Sequence, residues 1–97
     1  MSFSVPEGRQ QAAQEIIDAY FEALYTSGPA GMRSQCYSDN NNSCSFIHIK
    51  SFKKEAVANH HFKSFIFRNY LQQIAALIEN RPTFSRLHQE QSFESIY

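Results

Sequence analysis

The residues of this sequence that could bind a metal gather around one polar turn. Cys36 and Cys44 flank the turn, His48 follows it, and His60 and His61 come later in the chain. Two cysteines with two histidines are a ligand set that tetrahedral zinc accepts. Structural zinc sites, however, usually present paired ligands about two to four residues apart, and no Cys-x-x-Cys pair occurs here. The spacing favours two thiols that pack as small apolar groups, with neither metal nor cofactor expected; zinc binding by Cys36, Cys44 and His48 stays an open alternative.

Acid–base chemistry has a second set of candidates. His60 and His61 are adjacent in a predicted helix, where neighbouring side chains point about 100° apart, so one is expected to be buried and the other exposed. Asp18 lies near Tyr20 and Tyr25, but a single carboxylate on the polar side of a helix is usually solvated. The sequence also has no nucleophile elbow, phosphate-binding glycine loop or acidic pair, and therefore predicts no enzyme activity.

The composition limits the kind of protein that this chain can be. The chain has 97 residues, 42% of them apolar, including nine Phe and no Trp, which is enough for a single domain over 1–97 with its own core. The first ten residues, MSFSVPEGRQ, have neither the basic nor the apolar region of a signal peptide, and no segment is long and apolar enough to span a bilayer. The chain is expected in the nucleus and cytoplasm, where a disulfide is not expected.

The charge balance argues against charged polymers as ligands. Nine basic and nine acidic residues give a formal net charge of zero, so neither direct nucleic-acid binding nor membrane binding is expected. Part of the basic charge is concentrated in one stretch that is interpreted as the solvated face of a helix: Lys50, Lys53, Lys54, Lys63 and Arg68.

The first predicted helix covers residues 5–27. Ser4 and Glu7 can form a capping box at its start, and Gly28 followed by Pro29 is typical of a helix end. Its apolar residues recur at helical spacing and form one stripe: Ala13, Ile16, Ile17, Tyr20, Phe21 and Leu24. This stripe is expected to pack into the core.

Four further segments follow. They are a short helix over 29–37, a strand over 43–49, helices over 52–65 and 67–80, and a weakly ordered tail over 83–97. The short helix would turn Met32 and Cys36 inward, and the SDNNNS run after it is typical of a turn.

Two alternatives stay open in the second half. The two later helices either continue as one long helix or break between Ser64 and Asn69. The tail either adds a last strand around Phe93, Ile96 and Tyr97 or ends frayed.

The order of these segments resembles a nuclear transport factor 2-like domain. The matching features are the aromatic helix segment 20–25 (YFEALY), the break at Ser27-Gly28, the short helix ending at 36–39 (CYSD), and the strand with 44–46 (CSF). Residues 54–57, 62–65 and 74–82 are similar to later helices of that domain. Within the superfamily, the segment is most similar to the domain of nuclear RNA export factors. The resemblance implies an α+β fold, a partial cone with N-terminal helices packed on a short curved antiparallel sheet; a mostly α small helical domain is the alternative.

The resemblance also implies a function. It is that of a protein-interaction module of messenger RNA export, which forms a heterodimer with a small nuclear transport factor 2-like protein and completes its short sheet with that partner. Nucleoporin Phe-Gly repeats are a second implied ligand. The residues expected to serve the core first and the partner second are Ile16, Ile17, Tyr20, Leu24, Met32, Phe65 and Phe67.

Two other functions belong to different classes. Small dehydratases and isomerases are also similar to this superfamily, and they use His, Asp and Tyr inside a closed pocket as acid and base. A helical adaptor unrelated to transport is the third possibility. A walled pocket that contains such groups would favour the enzyme, and a purely helical fold would favour the adaptor.

Overall fold

The computed structural model describes residues 1–95. Its elements, in chain order, are β1 (Ser2–Ser4), α1 (Gln10–Ser27), β2 (Met32–Asp39), β3 (Asn42–Phe52), α2 (Glu55–Lys63) and α3 (Phe65–Ala75). The strands form one antiparallel sheet in the order β1-β3-β2, so β3 lies between the two strands that α1 connects. This is a split β-α-β arrangement. The predicted α+β class is confirmed, and the mostly helical alternative is wrong because the chain forms a three-stranded sheet.

Strand alternation gives the sheet two different faces. Phe3, Phe46 and His48 point to one face and are buried there. Tyr37, Ile47 and Ile49 point to the other face, where they remain 51%, 43% and 49% exposed. Successive residues of a strand point to opposite sides, so this contrast means that one face of the sheet is covered and the other is open.

The covered face packs against α1 and α3. Each helix contributes three buried residues: Ala13, Ile17 and Tyr20 from α1, and Phe67, Tyr70 and Ile74 from α3. Ile16, Phe21 and Leu24 pack against this core from partly buried positions. The predicted apolar stripe of the first helix is therefore confirmed.

The first helix begins later than predicted. Residues 2–4 (SFS) alternate polar, apolar, polar and pair with β3, placing Phe3 opposite Phe46. Ser4 therefore belongs to a strand and cannot cap a helix at residue 5. Gly8 has φ +91, which breaks any regular helix before Gln10. At the other end, the helix stops before Gly28 as predicted.

The predicted short helix at 29–37 is wrong, because these residues lead into and form most of β2. Met32 and Cys36, four residues apart, share one face in a helix and also in a strand, so their inward direction does not distinguish the two. Gly31 has φ +83, outside the helical range, and is followed by side chains that alternate between the two faces. The tertiary pairing with β3 then selects the strand.

The polar turn lies between β2 and β3, where it was predicted. Asp39 and Asn42 form the last pair of the hairpin, across Asn40 and Asn41. The Asp39 carboxylate accepts a hydrogen bond from the Asn41 backbone N–H at 2.8 Å, which holds the turn. The predicted strand at 43–49 is confirmed as part of the longer β3.

The two later helices break at Ser64, so the long-helix alternative is wrong. Ser64 has an extended backbone (φ −71, ψ 154); its hydroxyl donates to the His61 carbonyl at 2.6 Å and accepts from the Phe67 N–H at 3.3 Å. The helical phase restarts after this residue. As a result, Phe65 is 80% exposed, whereas Phe67 is buried.

The tail has little regular structure up to residue 95. Thr83 forms an isolated antiparallel bridge with Ser2, on the side of β1 away from β3. Beyond that bridge, residues 84–95 contain neither helix nor strand, which agrees with the prediction of a weakly ordered tail. Phe93 is 91% exposed and forms no strand, while Ile96 and Tyr97 lie outside the described residues.

Candidate functional site

A cluster of polar side chains lies between the covered face of the sheet and the helices. Two Tyr–His pairs form its centre: the Tyr20 hydroxyl is hydrogen bonded to His61 Nε2 at 2.9 Å, and the Tyr70 hydroxyl to His48 Nε2 at 2.5 Å. All four side chains are at most 3% exposed. We call the polar cluster the set Tyr20, Ser34, His48, Lys50, His61 and Tyr70.

Lys50 is the cation of the polar cluster. Its ammonium lies 5.0 Å from the centroid of the Tyr20 ring and 4.4 Å from that of Phe67. The negative faces of the two rings attract the ammonium. They do not replace the hydrogen bonds that its three N–H groups make in water, because aromatic faces offer no lone pair of comparable strength.

Three buried atoms of the polar cluster have no hydrogen-bond partner. They are Ser34 Oγ, His48 Nδ1 and Lys50 Nζ, and they are the complete set of such side-chain atoms found within residues 1–95. Ser34 pairs with Lys50 across β2 and β3, and His48 lies two residues before Lys50 on the same face. Buried polar groups normally have hydrogen-bond partners, so three unpartnered atoms on one patch of the sheet suggest a site that a ligand completes.

A cleft of about 180 Å³ opens beside the polar cluster. The end of α1 and the start of β2 form its walls, and its lining residues are Phe21, Leu24, Tyr25, Gly28, Pro29, Met32 and Ser34. Gly28 is required here, because a Cβ at this position would lie against the carbonyl oxygen of Leu24. Phe21 also stacks on His48, with ring centroids 6.1 Å apart, so one wall of the cleft lies next to the polar cluster.

A larger pocket of about 300 Å³ lies at β1 and residues 79–83. It contains none of the three unpartnered atoms and none of the buried histidines. We therefore place the candidate site at the smaller cleft.

Burial sets the protonation states of the polar cluster. It lowers the pKa of His48 to about 3 and of His61 to about 4, with the positive charge of Lys50 acting in the same direction, so both imidazoles are neutral near pH 7. Burial also lowers the pKa of Lys50 to about 8. The pKa values of Tyr20 and Tyr70 are raised well above their usual range, mainly by burial. The cluster therefore combines neutral bases, hydroxyl donors and an ammonium that titrates near neutrality.

Cys36, Cys44 and His48 are not brought together with further metal-ligating side chains in the described part of the chain. Among residues 1–95, no three His, Cys, Asp or Glu side chains converge closely enough to hold a metal ion. Cys36 and Cys44 are free thiols that pack against the core from partly buried positions. Burial raises the pKa of the Cys36 thiol to about 11, which keeps it protonated.

The predicted acid–base candidates are separated. Asp18 is exposed and accepts a hydrogen bond from the Gln14 side chain at 2.8 Å, and Tyr25 is 90% exposed, whereas Tyr20 turns into the core. The expectation for the adjacent histidines is confirmed: His61 is 1% exposed and His60 is exposed.

The predicted partner-binding residues occupy four environments. Ile17, Tyr20 and Phe67 are buried in the core, Ile16 is partly buried, and Phe65 is exposed. Leu24 and Met32 line the cleft. Contact of these residues with a partner protein remains a prediction.

The sequence does not predict Ser34 and Lys50 as site residues. The basic stretch predicts Lys50 on a solvated helix face, but it lies on β3 with its ammonium buried. A period-two signal was present in FIHIKSF: Phe46, His48, Lys50 and Phe52 are in phase, which places two polar side chains on the same face as two aromatic ones. Ser34 has no comparable signal in the sequence.

No described helix has the length and apolarity needed to cross a membrane. No protein-family model matches the sequence, and no curated protein matches it either.

Proposed function

We propose that this chain binds a small molecule in the cleft beside the polar cluster and acts on it by proton transfer, as a small α+β enzyme. The observation that carries this proposal is the convergence of Ser34 Oγ, His48 Nδ1 and Lys50 Nζ, all buried and unpartnered, on one patch of the sheet. Leaving such groups unsatisfied costs about 1–3 kcal/mol each, and sites of this kind are typically retained for binding or catalysis.

The chemistry follows from the protonation states. Lys50, with a pKa of about 8, exchanges a proton with a bound molecule at little cost near pH 7 and is the candidate general acid or base. The neutral His48 can accept or donate at Nδ1, because Tyr70 occupies its other nitrogen. Ser34 lines the cleft and can orient an oxygen of the bound molecule. Tyr20 and Tyr70 hold the two imidazoles in place.

The test uses nitrogen-15-labelled full chain and a library of small carbonyl compounds and phenols. We expect some compounds to shift the amide signals of Phe21, Met32 and Ser34, and Met32→Trp, which fills the cleft, to abolish these shifts. Gln35→Trp, on the other face of β2, is the matched control and keeps them. Bound carbonyl compounds should also exchange their α-protons for solvent deuterium faster with the natural chain than with Lys50→Met. A library in which nothing shifts the cleft signals would contradict the proposal.

A second candidate function is protein pairing through the open face of the sheet. Tyr37 lies opposite Ile47 across the strands, and Ile49 continues the apolar row. Exposed apolar rows of this kind favour contact with another protein. The resemblance to nuclear transport factor 2-like domains supplies a specific partner, a small nuclear transport factor 2-like protein in messenger RNA export, with nucleoporin Phe-Gly repeats as a further ligand. In this proposal the partner completes the cone.

Light scattering after size exclusion tests the second function. A heterodimer through this face predicts the summed mass when the chain is mixed with a small nuclear transport factor 2-like protein. Ile49→Lys should restore the separate masses, whereas Gln73→Lys, an exposed change on α3, should not. Separate masses for the natural chain in the mixture would contradict pairing with such a partner.

A further inference from the structure

Lys50 is a buried cation to which the described part of the chain offers no counter-ion. All nine Asp and Glu residues of the sequence fall within residues 1–95, and every one of them is exposed. The one ion pair found there, Arg86 with Glu55, lies at the surface. A buried ammonium is normally paired with an anion, so the lack of a partner for Lys50 within residues 1–95 is consistent with a charge that a bound molecule supplies.

The neighbours of Lys50 fit an anionic oxygen. Ser34, its partner across the strands, has a hydroxyl without a hydrogen-bond partner and lines the cleft. An ammonium and a hydroxyl on adjacent positions of one sheet face can both donate to the oxygens of one carboxylate. The nearby aromatic rings of Tyr20 and Phe67 stabilise the charge of Lys50 but accept no proper hydrogen bond, so its N–H groups keep unused hydrogen-bonding capacity. The ammonium is buried behind the lining of the cleft, where Ser34 is its neighbour across the strands, so a carboxylate must enter past Ser34 to reach it.

The rest of the cleft is suited to an apolar body. Phe21, Leu24 and Met32 form its side walls. The volume of about 180 Å³ is close to the roughly 150 Å³ of an engineered apolar cavity that binds benzene, so the cleft admits a molecule of single-ring size. A larger ligand would have to extend into solvent past Tyr25, at the exposed end of the cleft.

We infer that the cleft takes a small organic carboxylate, whose apolar body lies among Phe21, Leu24 and Met32 and whose carboxylate accepts hydrogen bonds from Ser34 and Lys50. This inference rests on the proposed small-molecule function and specifies its ligand class. The bound carboxylate supplies the counter-ion of Lys50 and satisfies two of the three unpartnered atoms.

The test compares benzoate with benzamide, its neutral analogue of nearly the same shape. Both are titrated at pH 6.5 into the nitrogen-15-labelled full chain, with the amide signals of Phe21, Leu24, Met32 and Ser34 as reporters. We expect benzoate to bind about tenfold more tightly than benzamide, because hydrogen bonds to a charged group are the stronger ones. Lys50→Met should remove about this factor for benzoate and weaken benzamide less, because the neutral amide loses a hydrogen bond but no ion pair; Lys63→Met, which removes an exposed charge, should change neither. Ser34→Ala provides a second variant, expected to weaken benzoate by a few-fold.

The outcomes separate this inference from the function on which it rests. Equal affinities for benzoate and benzamide, with shifts confined to the cleft, would overturn the carboxylate inference and leave small-molecule binding in place. Benzoate shifts that spread over the exposed Lys53, Lys54 and Lys63 would also overturn it, since they indicate surface binding. If neither probe nor any member of the carbonyl and phenol library shifts the cleft signals, both are overturned.

Discussion

The rings of Tyr20 and Tyr70 stack on each other, with centroids 4.1 Å apart and planes inclined by 13°. Each hydroxyl is hydrogen bonded to a different histidine, Tyr20 to His61 and Tyr70 to His48. One stacked pair therefore connects α1 and α3 to each other and orients two imidazoles, one on α2 and one on β3. The geometry of the polar cluster depends on this contact between two helices.

Removing either hydroxyl should destabilise the fold. Tyr20→Phe leaves His61 Nε2 without its partner, and Tyr70→Phe leaves both nitrogens of His48 unpaired. We expect each change to lower the free energy of unfolding by about 1–3 kcal/mol, the cost of a buried polar group without a hydrogen bond. Urea unfolding measures this, with Tyr25→Phe as the control, since that side chain is 90% exposed and its loss should cost less than about 0.5 kcal/mol. Equal effects of all three changes would contradict the pairing.

Replacing Lys50 with Met should stabilise the protein while it weakens the site. The change keeps most of the apolar stem and removes a buried charge whose contact with two rings offsets only part of its desolvation. We expect the free energy of unfolding to rise by about 1–2 kcal/mol at pH 7. Lys63→Met, at an exposed position, should change it little.

The advantage of Lys50→Met should also depend on pH in a defined direction. The pKa of Lys50 is lowered from 10.5 to about 8 in the folded state. The destabilisation caused by its buried charge is therefore fully present below pH 8. Above pH 8 the folded protein releases this proton before the unfolded chain does. The difference in free energy of unfolding between Lys50→Met and the natural chain should therefore become smaller. A difference that stays constant from pH 7 to pH 9 would contradict a buried ammonium.

Acid should destabilise the protein through its buried histidines. The pKa values of His48 and His61 are lowered from 6.5 to about 3 and about 4, so below pH 6.5 the unfolded chain takes up protons that the folded state does not. Each histidine should then lower the free energy of unfolding by about 1.4 kcal/mol per pH unit as the pH falls towards 4. Unfolding at several pH values measures this slope. His61→Gln should reduce the slope by the contribution of one histidine, and a slope that this change leaves unaltered would contradict a neutral, buried His61.

The hydrogen bonds of the Ser64 hydroxyl should stabilise the fold by about 1–2 kcal/mol. Its hydroxyl caps α3 through the Phe67 N–H and binds the His61 carbonyl at the end of α2. Ser64→Ala removes both bonds and should lower the free energy of unfolding by about 1–2 kcal/mol. Ser64→Asn should lose less stability than Ser64→Ala, because Asn can also cap the helix. Ser51→Ala, an exposed position on β3, serves as the control. A neutral Ser64→Ala would show that the cap contributes nothing.

Helical spacing and turn composition were sufficient for the parts of the fold that depend on local signals. The stripe of α1 and the asparagine turn were predicted from neighbouring residues alone, and so was the burial of one of two adjacent histidines. Met32 and Cys36 were assigned the right direction and the wrong element, because residues four apart share a face in both helix and strand. β1 has only three residues, whose alternation is too short to predict a strand, and it forms because β3 offers it a pairing edge.

The site was less predictable than the fold. Leu24, Met32 and Tyr20 were named as important for packing, and all three lie in or beside the site. Lys50 was not, because a lysine in a basic stretch is normally solvated, and its burial depends on α1 and α3 closing over the sheet. The relation of Ser34 to Lys50 arises from the register of β2 against β3, which is a long-range property.

Cys36 offers a way to observe this region without any substitution. Its thiol lies across the strands from His48 on an outer strand of the sheet, partly covered, and its raised pKa of about 11 keeps it a slow nucleophile at neutral pH. Modification by a thiol reagent would then proceed mainly through transient local opening of β2, as amide hydrogen exchange does. The rate of that reaction therefore reports how often β2, one wall of the cleft, opens locally. Any molecule that occupies the cleft should slow the reaction.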